Sequence, residues 1–127
     1  MNLIPFKINY VENSNKPELE LVRFIASVDI NTSGYALIDK TFDGDEKVSN
    51  EFRHIYIFPD LEVKKGQEVL LYTGKGTNGF FKFNNSNVEY HRLFWGANEC
   101  VWNDKGGDKA TLIKFDPINS VSVPKVS

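Results

Sequence analysis

One cysteine, one methionine and two histidines stand among 127 residues, and each scarcity removes a class of explanation. Cys100 has no partner within the chain, so no internal disulfide can staple the fold, and the redox compartment stays open. His54 and His91 are isolated in the sequence and Cys100 has no C-x-x-C partner, which leaves a structural zinc site short of ligands. No window holds a helical amphipathic period of useful length, and none approaches the roughly 20 apolar residues that span a bilayer. The first residues, MNLIPFKINY, lack both a basic segment and an apolar run of signal-peptide length. The expectation is a cytoplasmic protein if the chain is full length, and an extracytoplasmic one if a leader has been removed. An excess of one charge is missing too: 15 basic against 17 acidic side chains leave a net charge of −2. Such a field weakly repels a phosphate backbone, so nucleic acid is not an expected partner.

What the chain has in quantity is alternation and turns. Its length suits one domain, residues 1–127, able to remove about two-thirds of its unfolded surface from water without staples. Residues 3 to 11 place Ile4, Phe6, Ile8 and Tyr10 on one side, the period-two pattern of a half-buried strand. Residues 18 to 30 alternate as well, but parity changes near Leu21 and Val22, which favours a β-bulge there over a strand buried on both faces. Residues 35 to 40 and 52 to 58 flank a turn around Asp43-Gly44-Asp45 and read as a hairpin, ended by Pro59, which cannot donate to a ladder. Gly66 marks a turn that needs positive φ before a strand from Glu68 to Thr73. Residues 74 to 87 read as the longest loop, and strands follow at 88 to 94, 109 to 115 and 120 to 126. About eight short, mostly antiparallel strands predict an all-β, immunoglobulin-like sandwich.

Several groups could carry chemistry. Gly74-Lys75-Gly76-Thr77-Asn78-Gly79 spells G-x-G-x-x-G after a strand, yet a dinucleotide site needs a helix whose N-terminus meets the pyrophosphate, and Phe80-Phe81-Lys82-Phe83 does not begin one. Asp39, Asp43, Asp45 and Glu46 crowd one turn without EF-hand spacing, so they read as solvated carboxylates. Cys100 with His91 or His54 would make a nucleophile pair only if the fold brought them together. The expectation is therefore no catalytic group, no cofactor and no metal. Trp102 reads as core. Trp95, beside Gly96, reads as a partly exposed aromatic, and with Phe94, Tyr90, Phe80 and Phe81 it forms the candidate binding surface, with Arg92, Lys105 and Lys109 nearby.

Ordered pieces of the chain carry a family likeness. Glu20 to Ile25, Ser33-Gly34-Tyr35-Ala36-Leu37-Ile38-Asp39, Phe58-Pro59 with Lys65-Gly66-Gln67-Glu68-Val69, Leu93-Phe94-Trp95-Gly96, and Val101-Trp102-Asn103 followed by Gly107-Asp108-Lys109-Ala110-Thr111-Leu112 resemble the successive motifs of lamin-tail domains over residues 18 to 115. The resemblance implies an immunoglobulin-like sandwich and a non-catalytic module of the kind also found in bacterial proteins. It makes Gly34, Tyr35, Pro59, Gly66, Trp102, Asn103, Gly107 and Asp108 structural signature positions. Ala26-Ser27, where the family ends its first strand with asparagine, a spacing one residue longer between Asn103 and Gly107-Asp108, and the insertion from Asp43 to Asn50 depart from its pattern.

The functional expectation is a binding or structural module whose partner is another protein, its oligomeric state open. A carbohydrate- or small-ligand-binding sandwich is the alternative, and a Cys/His hydrolase the remote one.

Overall fold

The computed structural model describes residues 4–42, 48–102 and 109–126. Ten strands form, namely β1 (Phe6–Glu12), β2 (Leu21–Ala26), β3 (Ile30–Asn31), β4 (Tyr35–Phe42), β5 (Val48–Ile57), β6 (Glu62–Val63), β7 (Glu68–Tyr72), β8 (Gly79–Lys82), β9 (Glu89–Phe94) and β10 (Lys109–Lys114). They build a five-stranded sheet in the order β1-β2-β7-β9-β8, a three-stranded sheet β10-β4-β5 and a two-stranded ribbon β3-β6. The chain is an all-β sandwich, as alternation predicts, with three strands that were not expected: β8, and β3 and β6, which are two-residue pairings too short to leave a sequence pattern.

The core lies between the two larger sheets and is dominated by rings. Phe6 and Phe24 stack at 5.3 Å, and Phe58 meets both edge-on at 5.7 and 5.2 Å. Tyr35 closes the group, 5.3 Å from Phe6. Aliphatic side chains at Val22, Leu37, Val69, Leu71 and Leu93 fill the rest of this layer. Each such side chain taken fully out of water stabilises the fold by about 1.5–3 kcal/mol. The edge-to-face geometry lets each ring present its positive rim to a neighbour's negative face.

Parity in β1 and β2 is set differently from the sequence reading. β2 alternates cleanly, with Val22, Phe24 and Ala26 buried and Leu21, Arg23 and Ile25 half-buried on the other face. Leu19 is exposed and sits in a turn closed by its N–H on the Lys16 carbonyl at 3.0 Å. The expected bulge near Leu21 and Val22 is therefore absent. A register shift falls in the partner strand instead, where Ile8 opposes Phe24 but Tyr10 opposes Arg23. The extra residue, Asn9, turns Tyr10 onto the outer face while Phe6 and Ile8 keep facing inward.

The segment read as one long loop also contains a strand. After β7 the chain crosses one strand position, descends as β8 and returns by a hairpin as β9, which inserts between them parallel to β7. Three backbone hydrogen bonds hold that crossover, from Trp95, Gly96 and Ala97 N–H to the Tyr72, Gly74 and Thr73 carbonyls at 2.8, 3.0 and 2.9 Å. A side-chain bond adds to them, the Phe94 N–H donating to Asn78 Oδ1 at 3.1 Å.

Glu20 fastens the stretch that follows β9. It is fully buried, and its Oε1 accepts the Thr73 hydroxyl at 2.6 Å and the Val101 N–H at 2.8 Å. Val101 and Trp102 are thereby drawn onto the core, each 6 % exposed. At the opposite turn Gly34 has φ of +85°, and a Cβ there would lie 3.2 Å from the Phe115 carbonyl oxygen. Phe115 follows β10, and its N–H bonds the Gly34 carbonyl at 2.8 Å, so only glycine suits the position.

The expected last strand does not form. Residues 115–126 have no regular structure, and Ile118, Val121, Val123 and Val126 are 80–98 % exposed. Among the described residues, no helix is long and apolar enough to cross a membrane.

Candidate functional site

Opposed residues in a ladder share a face, so the registers sort every aromatic in the five-stranded sheet. β9 opposes Val69 with His91 and Leu71 with Leu93 on the core side. Tyr90, Arg92 and Phe94 therefore point outward, beside Glu68, Leu70 and Tyr72 of β7. β8 adds Phe81 opposite Tyr90 and Gly79 opposite Arg92 on that outer face, and Phe80 opposite His91 on the inner one.

The outer side chains form a continuous layer. The Arg23 guanidinium lies 5.2 Å from the Tyr10 ring and 5.4 Å from that of Phe83. Phe83 stacks on Tyr90 at 4.2 Å, and Phe81 lies 5.8 Å beyond Tyr90. Arg92 sits 4.6 Å over Phe81 and 5.9 Å from both Tyr72 and Tyr90. Its Nη2 donates to the Tyr90 hydroxyl at 3.1 Å. Tyr72 and Phe94 close the row, stacked at 5.4 Å. The layer is dense enough that Leu70, beneath it, is only 4 % exposed.

The two arginines differ in charge compensation. Arg23 Nε lies 3.4 Å from Glu68 Oε1, an ion pair too poorly aligned to count as a hydrogen bond, since both atoms are buried without one. Arg92 has no carboxylate partner among the described residues, and its Nε is buried without a hydrogen-bond partner. Held among ring faces, the Arg92 guanidinium has its Nε covered and one Nη2 hydrogen given to the Tyr90 hydroxyl, which leaves the remaining Nη hydrogens for a further partner.

The glycine pattern is now explained by packing. A Cβ at Gly76 would fall 2.5 Å from the Phe94 ring, one at Gly79 would fall 2.8 Å from the Phe81 ring, and one at Gly74 would fall 3.2 Å from the Glu18 and Pro17 backbone. All three glycines make room, two of them for rings of the outer layer. No helix follows them, so the motif does not form a dinucleotide cradle.

Of the five residues expected on one surface, Phe94, Tyr90 and Phe81 share the outer face. Trp95 and Phe80 do not. Trp95 follows β9 with inward parity and is half-buried, packed 5.6 Å from Tyr56 and 6.4 Å from both Trp102 and His54. Gly96 at φ +84° turns the chain immediately after it. Phe80 lies 4.5 Å from the His91 ring at the inner rim. Tyr10, Arg23, Tyr72 and Phe83 belong to the face and were not singled out. The alternation of Tyr90, Arg92 and Phe94 could have excluded Trp95, whereas the β1 bulge and the return of Phe83 over the sheet leave no sequence pattern.

The other candidate groups are placed elsewhere. Asp39 is no solvated turn carboxylate: it is 2 % exposed and faces inward, with Oδ2 3.1 Å from His54 Nδ1. A carboxylate only accepts, so that ring nitrogen carries the proton. Asp43, Asp45 and Glu46 lie outside the described residues, as do Asn103, Asp104, Lys105, Gly107 and Asp108. No group of three potential metal ligands occurs among the described residues. The Cys100 thiol lies 3.2 Å from the Ser14 carbonyl, toward which it donates. Burial pushes the His91 imidazole below its ordinary pKa, against the weaker opposing pulls of the Glu62 carbonyl and the Glu89 carboxylate, and its Nε2 is buried without a partner. The signature positions Tyr35 and Trp102 are buried and Pro59 is exposed, its carbonyl accepting the Thr32 hydroxyl at 2.5 Å. Gly66 has φ of +86° in the turn before β7.

Comparison with known proteins returned no match for the chain among protein-family models, curated proteins or solved structures.

Proposed function

We propose that this chain is a non-catalytic binding module of lamin-tail type, and that it docks an extended, acidic segment of a partner protein on the outer face of its five-stranded sheet. The observation that carries this reading is Arg92: a cation among Tyr72, Phe81 and Tyr90 with no carboxylate partner among the described residues. Ring faces exclude water from one side of a guanidinium, and a carboxylate arriving from the other side forms a bidentate, charge-assisted pair in a lowered dielectric. β8 adds a second element of recognition. It is the outermost strand of its sheet, four residues long, with Phe80 and Phe81 46 % and 44 % exposed on opposite faces. An extended peptide added along that edge would place alternate side chains beside each ring.

Binding of short extended peptides of acidic, neutral and basic composition, measured by fluorescence polarisation at low and moderate salt, tests the reading. Acidic peptides should bind, with affinity falling about tenfold on Arg92→Ala and less on Lys114→Ala, which lies on the three-stranded sheet. Equal binding of all three peptide classes, or indifference to Arg92→Ala, would reject it. A glycan array that binds through Tyr72 and Phe94 regardless of Arg92 would favour the carbohydrate alternative.

A further inference from the structure

Residues 116–126 join no sheet among the described residues. None of them makes a hydrogen bond with another described residue. Yet the segment reads Asp-Pro-Ile-Asn-Ser-Val-Ser-Val-Pro-Lys-Val, with Val121 and Val123 on one side of an extended chain and Ser120 and Ser122 on the other. Ile118 is 92 % exposed, Val121 80 %, Val123 91 % and Val126 98 %. β-branched residues at period two, fully wet and with their backbone groups unpaired, are a strand without a sheet.

The molecule offers a matching edge. β5 borders the three-stranded sheet and, at ten residues, is the longest strand in the structure. On the outer face of that sheet Ile57 and Ile55 are 58 % and 47 % exposed beside the fully covered Ala36 and Ile38, which they oppose in the ladder. The competing edges fit less well: β8 has four residues, β1 carries the bulge at Asn9, and β10 comes against β1. The segment also leaves the fold at the rim of the same sheet, where Gly34, Ile57, Phe58, Lys114, Phe115 and Pro117 border one depression of about 620 Å³.

We infer that residues 118–126 of a second copy of this chain add as a strand to the outer edge of β5, so that two chains exchange these segments in a closed dimer. Donor and acceptor lie on one sheet, and a two-fold axis beside it lets each copy give and receive at once, closing the assembly. The eleven residues from Asp116 to Val126 reach roughly 35 Å when extended, enough to run along ten residues of β5. Paired this way, Val121 and Val123 lie next to Ile55 and Ile57. In an antiparallel ladder the N–H groups of alternate residues point to opposite sides. If Val121 and Val123 direct theirs to β5, Pro124 falls among the outward positions, where no donor is needed and where a missing N–H stops another strand from joining. The inference does not depend on the aromatic face.

Sedimentation velocity on the full chain across the micromolar to millimolar range is the test. A dimer is expected, with the chain ended at Asp116 remaining monomeric and an unchanged β-type circular dichroism spectrum confirming that it is folded. Val123→Asp on the donor and Ile57→Asp on the acceptor should each weaken dimerisation about tenfold or more. Pro124→Val, by restoring the outward donor, should add species larger than the dimer. A full chain that stays monomeric, a dimer that survives removal of residues 117–127, or a dimer indifferent to Ile57→Asp would each overturn the inference.

Discussion

The five-stranded sheet carries two aromatic clusters back to back, and they are built on different terms. On its inner side Phe6 and Phe24 pack against Tyr35 of the facing sheet and Phe58 beyond β5, and each ring is 9 % exposed or less. On its outer side Tyr10, Tyr72, Phe81, Phe83, Tyr90 and Phe94 pack on one another and on two arginines with no second sheet over them among the described residues, and none is fully buried. The inner cluster is apolar apart from one phenol, while the outer one contains guanidinium groups within cation–π range of its rings. Rings that only need to leave water pack on rings; rings interleaved with cations keep a face that a ligand can still reach. Strand alternation lets one stretch of sequence serve both purposes, as β9 does with Leu93 inward and Arg92 outward.

The contrast breaks most visibly under mutation of the inner side. Phe24→Ala, at a fully buried ring, is expected to lower unfolding free energy by about 3–5 kcal/mol in urea titrations. Next comes the buried clamp: Glu20→Ala orphans the Thr73 hydroxyl and the Val101 N–H, for a loss of about 2–4 kcal/mol, with Glu20→Gln recovering part of it because one acceptor oxygen remains. Gly76→Ala probes the junction of the two layers, since its Cβ meets the Phe94 ring. It should cost about 1–3 kcal/mol as an overpacking change, and far less in a Phe94→Ala background, a coupling that a double-mutant cycle measures. On the outer side Arg92→Ala should change stability by less than about 1 kcal/mol while weakening acidic-peptide binding about tenfold; a stability loss comparable to that of Phe24→Ala would mean the outer layer is core after all.

The smallest effect concerns pH. His91 sits on the inner side next to Phe80, with its folded pKa lowered by burial. The unfolded chain then binds a proton as pH falls through about 6.5 before the folded chain does. Stability therefore rises with pH across the window between the folded and unfolded values, and is lost on acidification through it. His91→Gln should flatten that part of the stability profile, read from denaturation midpoints between neutral and mildly acidic buffer.

Period-two patterning located most strands and the all-β class, and Gly66 before β7 announced its own positive φ. The β8 strand was hidden because Gly76 and Gly79, which read as loop glycines, are there to admit the Phe94 and Phe81 rings. Trp95 is partly exposed beside the Gly96 turn, as the sequence suggests, but one residue past β9 its parity directs it inward against Tyr56 rather than onto the outer face. Residues 120–126 have strand character but pair with no strand among the described residues.

By itself, the order of residues determined what depends on neighbours along the chain: which stretches are extended, where they turn, and which side chains within one strand share a face. The tertiary structure alone decided which faces meet. Inserting β9 between β7 and β8, shifting β1 by one residue at Asn9 and folding Phe83 back over Tyr90 brought Arg92 and Arg23 into one aromatic layer. Each of those events pairs residues far apart in sequence, through hydrogen bonds and burial that no local pattern encodes.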